Sequence, residues 1–244
     1  MNPVAFNIFG FGVRWYGLAY LATFIIGLNL TKYCLKFSKS KITKSDLDQL
    51  LNFIIAGVIL GGRIGQFLFY EKFSREILYI WHGGMSFHGG VIGVTFSIIL
   101  FCLIYKKSMW AIADLVAMCT PIGCFLGRLA NYINGEVIGT KISPILQPYF
   151  NKICDFERYP VVFLEAFFEG IVLFFILFAN LKRKKEGITS AMFLIWYGIF
   201  RFILEFIREP STKCTIFDLT FTTAQMLSLG MIFIGILIYK RKNR

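Results

Sequence analysis

Charge is scarce in this chain. Asp, Glu, Lys and Arg make up 16% of its 244 residues, against about 25% in an ordinary soluble domain. With 57% hydrophobic residues, the solvent that suits such a composition is mostly lipid. Histidine occurs only twice, at His82 and His88. The six cysteines, Cys34, Cys102, Cys119, Cys124, Cys154 and Cys214, show no zinc spacing and no CxxC redox pair. Most read as core residues; Cys154 and Cys214 fall in loops on one side of the membrane, where a disulfide is permitted and the residues leave pairing open. Residues 1 to 13 hold no Lys or Arg, so the positive n-region of a cleavable signal peptide is missing and the first apolar segment is expected to stay in the mature protein. No stretch between apolar segments is long enough to build a soluble core of its own. Residues 1–244 are therefore read as one integral-membrane domain.

What the chain does have is apolar length. Seven segments reach the roughly 20 residues that a spanning helix needs: Trp15 to Leu35, Leu50 to Tyr70, Gly89 to Tyr105, Ala111 to Tyr132, Val161 to Asn180, Ile188 to Phe206 and Phe221 to Tyr239. The fold class is all-α, a polytopic membrane protein. The net charge of +12 does not point to nucleic acid, because the basic residues form short runs between spans rather than one amphipathic face. They report orientation instead. Loops after the odd-numbered spans, counted with Lys32 at the end of the first span, hold 15 Lys/Arg and the remaining loops and termini hold 8, which places the N-terminus outside and the C-terminus in the cytoplasm.

Three polar clusters interrupt the apolar pattern, and all fall toward the outer side on that topology. The first is the tract Gly127-Arg128-Leu129-Ala130-Asn131-Tyr132-Ile133-Asn134-Gly135-Glu136 at the end of the fourth span. An arginine at membrane depth costs about 2.5–3.5 kcal/mol on insertion scales and usually faces a cavity, a partner or a ligand. An internal Arg-Glu pair would also account for it. The second is Gly83 to Gly90 (GGMSFHGG), which leads into the third span. His88 there is the candidate proton acceptor, since histidine alone titrates near neutrality without perturbation; a helix-packing hydrogen bond is the competing role. His82, beside Trp81, suits the membrane interface. The third runs from Arg201 through Glu205 to Arg208, spaced to share one helical face. Their charges can neutralise one another, while arginine's planar fork also suits a phosphate. Glu165 and Glu169 on the fifth span could balance neighbouring arginines, with Glu165 the stronger candidate. Together the clusters suggest one polar cavity opening toward the outer leaflet and outer side.

These motifs resemble the prolipoprotein diacylglyceryl transferase family over most of the chain. The family's long signature is similar to Gly127–Gly139 (GRLANYINGEVIG), its His-Gly-Gly motif to Gly83–Gly90, and its late arginine motif to Arg201–Pro210. Trp15-Tyr16-Gly17 and Gly62-Arg63-Ile64-Gly65 match too. The resemblance implies a bacterial inner-membrane enzyme that moves the diacylglyceryl group of phosphatidylglycerol to the lipobox cysteine of prelipoprotein signal peptides, forming a thioether and releasing glycerol 1-phosphate. This is the first step of lipoprotein maturation. It implies seven spans with the N-terminus outside, and functional positions at Tyr16, His88, Arg128, Asn131, Asn134, Gly135, Glu136, Gly139, Glu165, Arg201, Glu205 and Arg208. The chain departs from the family pattern at Tyr159, Val161 and Val162, where His, Ser and Gln are usual, and at Ser211, where Asp is usual.

The implied reaction sets tasks for these residues. A thiolate must attack the glycerol carbon that bears the phosphate ester, so a thiol loses its proton and a phosphate departs. Arg128 and Arg201 form the expected phosphate clamp. His88 is the expected thiol base, with Glu136 or Glu205 as substitutes or as groups that orient the arginines. No cofactor is implied, and no metal: the carboxylates and His88 lack ligand spacing, and arginines disfavour a nearby cation. The expected partners are phosphatidylglycerol, prelipoproteins and membrane lipids, with no nucleic acid. An anion or lipid transporter would use the same arginines without breaking a bond, but the inverted repeats common in transporters are missing. A non-catalytic lipid-binding scaffold would not need His88.

Overall fold

A computed structural model describes residues 3–8, 11–37, 41–69, 75–79, 84–144, 146–147, 157–180, 185–209, 213–216 and 219–243. Two antiparallel strands, β1 (Val4–Ile8) and β2 (Phe11–Arg14), lead into helix α1 (Trp15–Cys34). There follow α2 (Lys44–Phe69), α3 (Phe87–Ile104), α4 (Met109–Asn134), α5 (Val161–Asn180), α6 (Ile188–Leu204) and α7 (Thr223–Asn243). A second hairpin, β3 (Lys213–Ile216) with β4 (Leu219–Thr222), precedes α7. Helices are the expected solution, since a span in lipid must satisfy every backbone N–H and C=O within itself. Among the described residues six helices are long and apolar enough to cross a membrane, and Gly89–Ile104 of α3 forms a shorter apolar helix.

The seven helices fall on the seven segments read from hydropathy, with local differences. Helix α2 begins at Lys44, six residues before Leu50, because Thr43 and Asp46 cap it reciprocally. The Thr43 N–H donates to Asp46 Oδ2 (2.7 Å) and the Asp46 N–H donates to Thr43 Oγ1 (3.1 Å), so polar residues extend the helix beyond the apolar run. Helix α5 contains a π-helical stretch, Ala166–Val172, which no hydropathy pattern distinguishes from α-helix. Both hairpins were missed, being only four or five residues per strand.

The described chain divides into two compact units, Thr31–Ala113 and Met1–Leu30 with Asp114–Arg244. In the unit Thr31–Ala113, α2 and α3 meet through glycines. A Cβ on Gly61 would lie 2.4 Å from the Gly89 carbonyl oxygen, and one on Gly93 would lie 2.2 Å from that of Gly57. Such backbone contact is open only to small residues. At the other ends of these helices, the Lys107 ammonium donates to Asp46 Oδ2 (2.6 Å). In the unit that carries α4 to α7, Gly198 and Gly235 allow α6 and α7 the same close approach, with a Cβ at Gly235 meeting the Ala191 carbonyl oxygen at 3.0 Å. Asp114 of α4 caps the start of α6, accepting from the N–H groups of Gly187 and Ser190 (both 2.7 Å).

Candidate active site

Arg128, Glu165, Glu169, Arg201, Glu205 and Arg208 converge. Helix α4 supplies Arg128 near its C-terminal end, α5 supplies both first-named glutamates, and α6 supplies Arg201 in its last turn. The helix does not carry the third motif as one α-helical face. It tightens to a 3-10 turn over Glu205–Ile207, and Arg208 is extended, yet Arg201 and Arg208 still meet at Glu165 while Glu205 pairs with Arg201. Glu165 is the hub: Oε2 lies 3.1 Å from Arg128 Nε, while Oε1 accepts from Arg201 Nη1 (2.6 Å) and Arg208 Nη1 (3.0 Å). Glu169 Oε2 accepts from Arg128 Nη2 (3.1 Å), and its Oε1 lies 3.9 Å from Arg201 Nη1. Glu205 Oε2 faces Arg201 Nη2 at 3.0 Å.

Burial in this cluster is asymmetric. The side chains of Glu165 and Glu169 are 0% exposed and that of Glu205 is 3%, whereas the three arginines retain 14% to 20%. The carboxylates form the floor and the guanidinium groups keep access. Three positive and three negative groups leave the cluster formally neutral, which lowers the cost of holding it among apolar helices. These pairings engage Nε and Nη2 of Arg128, Nη1 and Nη2 of Arg201 and Nη1 of Arg208. Each arginine has further N–H groups outside them, since a guanidinium carries five.

Glu169 was underweighted in the sequence. Its signal was the four-residue spacing from Glu165, which offsets two side chains on a helix by only about 40°. Two carboxylates on one stripe of a span need cations nearby.

The end of α4 builds a second polar group. The Tyr16 hydroxyl, from α1, meets both Asn131 Oδ1 and Glu136 Oε2, and having one proton it donates to one of them at a time. Asn134 Nδ2 donates to Glu136 Oε1 (3.2 Å). Thus Glu136 sits with Tyr16 and Asn134, while orientation of the arginines falls to Glu165, Glu169 and Glu205. Asn131 follows Arg128 by three residues and shares its helix face. Gly135 ends the helix: the Glu136 N–H donates to the Asn131 carbonyl (2.9 Å), the Gly135 N–H to that of Tyr132 (3.1 Å), and Gly135 has φ +71°. This is a Schellman cap, where glycine enters the left-handed region without steric cost.

Beyond the cap the chain is pinned from both sides. The Thr140 N–H donates to the Ile207 carbonyl (2.9 Å), the Glu209 N–H to that of Ile138 (3.0 Å) and the Tyr159 N–H to that of Thr140 (3.0 Å). A Cβ on Gly139 would lie 2.1 Å from the Tyr159 carbonyl oxygen, so a side chain there would force Gly139, which is bridged to Arg208, away from the Tyr159 backbone. Arg158 closes this ribbon, donating through Nη1 to the Gly139 carbonyl (2.9 Å) and Glu209 Oε1 (3.1 Å).

His88 stands in the first turn of α3 within the unit Thr31–Ala113; its side chain lies outside the described residues, as do His82 and Cys154 entirely and the side chain of Cys214. Ser86 caps that turn by accepting from the Gly89 N–H (3.1 Å). Arg63, from the Gly62–Gly65 segment that resembles the family, is 5% exposed and surrounded by backbone carbonyls.

A sequence model described as "Prolipoprotein diacylglyceryl transferase" matches residues 3–241. The chain is 39% identical over 258 residues to a protein of Azospirillum brasilense named phosphatidylglycerol–prolipoprotein diacylglyceryl transferase, with 100% of this chain and 95% of that one covered. It is 38% identical to proteins of the same name from Rickettsia bellii (strain OSU 85-389) and Rickettsia felis, covering all of this chain and 97% of each.

Proposed function

The chain belongs to the prolipoprotein diacylglyceryl transferase family, and from that premise we propose that it transfers the diacylglyceryl group of phosphatidylglycerol to the lipobox cysteine thiol of prelipoproteins. In this reaction the sulfur–carbon bond forms at the glycerol carbon as the carbon–oxygen bond to phosphate breaks. Glycerol 1-phosphate leaves, and the thiol proton passes to a base. The protein is a multi-pass protein of the bacterial membrane, with its N-terminus outside, its C-terminus cytoplasmic and its polar cavity open to the outer leaflet. The whole chain acts as one catalytic domain.

The observation that carries this reading is the half-open arginine cluster. Three guanidinium groups are aligned by buried carboxylates, keep partial access and, among the described residues, have N–H groups outside these ion pairs. Such a preorganised set of donors suits a phosphate on which charge develops as it departs. Arg128 and Arg201 hold that phosphate, assisted by Arg208, while Glu165 and Glu205 aim them. Tyr16, Asn131, Asn134 and Glu136 bind the polar part of the lipid. The Asn134 Oδ1 atom supports this role, being buried with no hydrogen-bond partner among the described residues, as an acceptor awaiting a hydroxyl would be. Gly135 and Gly139 act through backbone geometry. His88 takes the thiol proton, a role in keeping with its place in a capped first turn.

The test is transfer of labelled diacylglyceryl from phosphatidylglycerol to a lipobox peptide by the purified protein. Arg128→Lys and Arg201→Lys keep the charge but lose the planar fork, and each is expected to cut turnover by about 100-fold or more, the scale of losing one preorganised donor to a developing oxyanion. Wild-type turnover in both variants, with folding intact, would remove the clamp. Lipid movement without thioether product would favour a transporter.

A further inference from the structure

Arg63 belongs to none of the groups above, yet it is more enclosed than any arginine in the candidate site. Its Nε donates to the Ile77 carbonyl (3.1 Å), Nη1 to that of Gly84 (3.0 Å), and Nη2 to those of Tyr79 (3.0 Å) and Glu76. Glu76 and Ile77 lie in the short 3-10 turn Arg75–Leu78, and Tyr79 follows it. The Glu76 carbonyl also accepts from the Tyr79 N–H that closes this turn (3.0 Å), and the carbonyls at the end of such a turn are open to further donors from outside it. The guanidinium gathers them and, with the same planar group, holds Gly84 from the other direction. The Phe67 ring supports the cation at 4.9 Å.

The neighbouring residue continues the restraint. The Gly62 carbonyl accepts from the Ser86 N–H (2.9 Å), and Ser86 then caps α3, accepting from the Gly89 N–H through Oγ and from the Gly90 N–H through its carbonyl (2.9 Å). Gly89 rests on the backbone of Gly61 and Gly65. Two consecutive residues of α2 therefore hold the chain at Gly84 and at Ser86, just ahead of His88. Gly84 has φ +74°, a conformation in which an alanine is strained.

We propose that Arg63 is a positioning residue for the transferase reaction, setting the turn that carries His88 so that this base meets the substrate thiol. The proposal rests on the assignment of His88 as the base. A lysine at position 63 brings one ammonium with three N–H groups, which cannot span carbonyls on opposite sides as a five-donor fork does.

The experiment is a double-mutant cycle between Arg63→Lys and His88→Ala, read by transfer of labelled diacylglyceryl to a lipobox peptide, per folded enzyme. Arg63→Lys alone is expected to lower kcat by about 10- to 100-fold, the scale of misplacing a catalytic group, with KM for phosphatidylglycerol within about twofold. In the His88→Ala background the same change should cost less than about threefold, because there is no base left to misplace. Gly84→Ala, which disturbs the same junction without touching the arginine, should reproduce the kcat loss and the loss of additivity. Equal costs in both backgrounds, near wild-type kcat in Arg63→Lys, or failure of both Arg63→Lys and Gly84→Ala to fold would overturn the proposal, the last making Arg63 a staple of the fold. Absence of transfer by the wild-type protein would instead refute the proposed activity. Wild-type turnover in His88→Ala would refute the base assignment and this positioning role with it.

Discussion

Replacing Glu165 by glutamine changes one atom type at the point where three arginines meet. The amide keeps the carboxylate's shape and can still present one oxygen to Arg201 Nη1 and Arg208 Nη1, which share Oε1 at 2.6 and 3.0 Å. Its NH2 group then faces Arg128 Nε across 3.1 Å, a donor against a donor. The cluster passes from neutral to a net charge of one, in a fully buried position. Removing one partner of a buried ion pair typically costs about 3–5 kcal/mol. Glu169 remains within 3.1 Å of Arg128 and 3.9 Å of Arg201, so a loss of about 3 kcal/mol, the lower end, is expected here. Arg128 should turn toward Glu169, and displacement of a positioned group on that scale costs about 100-fold in rate. The assay pairs initial transfer rates with the midpoint of thermal inactivation in phosphatidylglycerol-containing micelles. Glu165→Asp keeps the charge but is one methylene shorter, so it should fall between wild type and Glu165→Gln in both readouts. Wild-type stability together with wild-type turnover in Glu165→Gln would show that Glu165 does not hold the arginines, and the site would have to be redrawn around Glu169 and Glu205.

Two further outcomes are expected. His88→Ala should lower transfer by about 100- to 10,000-fold, the span of a general base, whereas His82→Ala should stay within a few-fold; a folded His88→Ala enzyme with near-normal rate at neutral pH would move the proton to a carboxylate or water. With native cysteines replaced, a membrane-impermeant thiol reagent on intact cells should reach cysteines placed at Asn151 and Lys213 but not at Lys41 or Lys184, and the reverse pattern would invert the topology.

The spans were legible because lipid imposes one rule on every residue of a helix, and seven long apolar runs can hardly be read otherwise. Ends were less legible, since they depend on single contacts. Thr43 and Asp46 start α2 well before its apolar run, and the Asn134-Gly135 pair stops α4 through a Schellman cap that its composition hints at but does not fix. At the site the arginines announced themselves by their cost in lipid. The weight of Glu169 and the partners of Arg63 were not legible, for opposite reasons. Glu169 looked like the weaker member of an acid pair, and only the meeting of α4, α5 and α6 shows how many cations stand opposite it. Arg63 has backbone carbonyls for partners, and carbonyls have no residue identity to read.

Charge balance also constrains how such a site can select its lipid. Three unpaired arginines at membrane depth would cost about 2.5–3.5 kcal/mol each on insertion scales, so Glu165, Glu169 and Glu205 are the condition for having them there. Once they are paired, long-range attraction for an anionic headgroup is largely cancelled, and a phosphate gains little from net charge alone. What remains is directional: the N–H groups that point away from the buried carboxylates, held in planes fixed by those same pairs. Recognition through orientation rather than charge makes arginine irreplaceable by lysine at positions 128 and 201. It also means that the glutamates, which never touch substrate on this reading, should be nearly as sensitive to substitution as the arginines they aim.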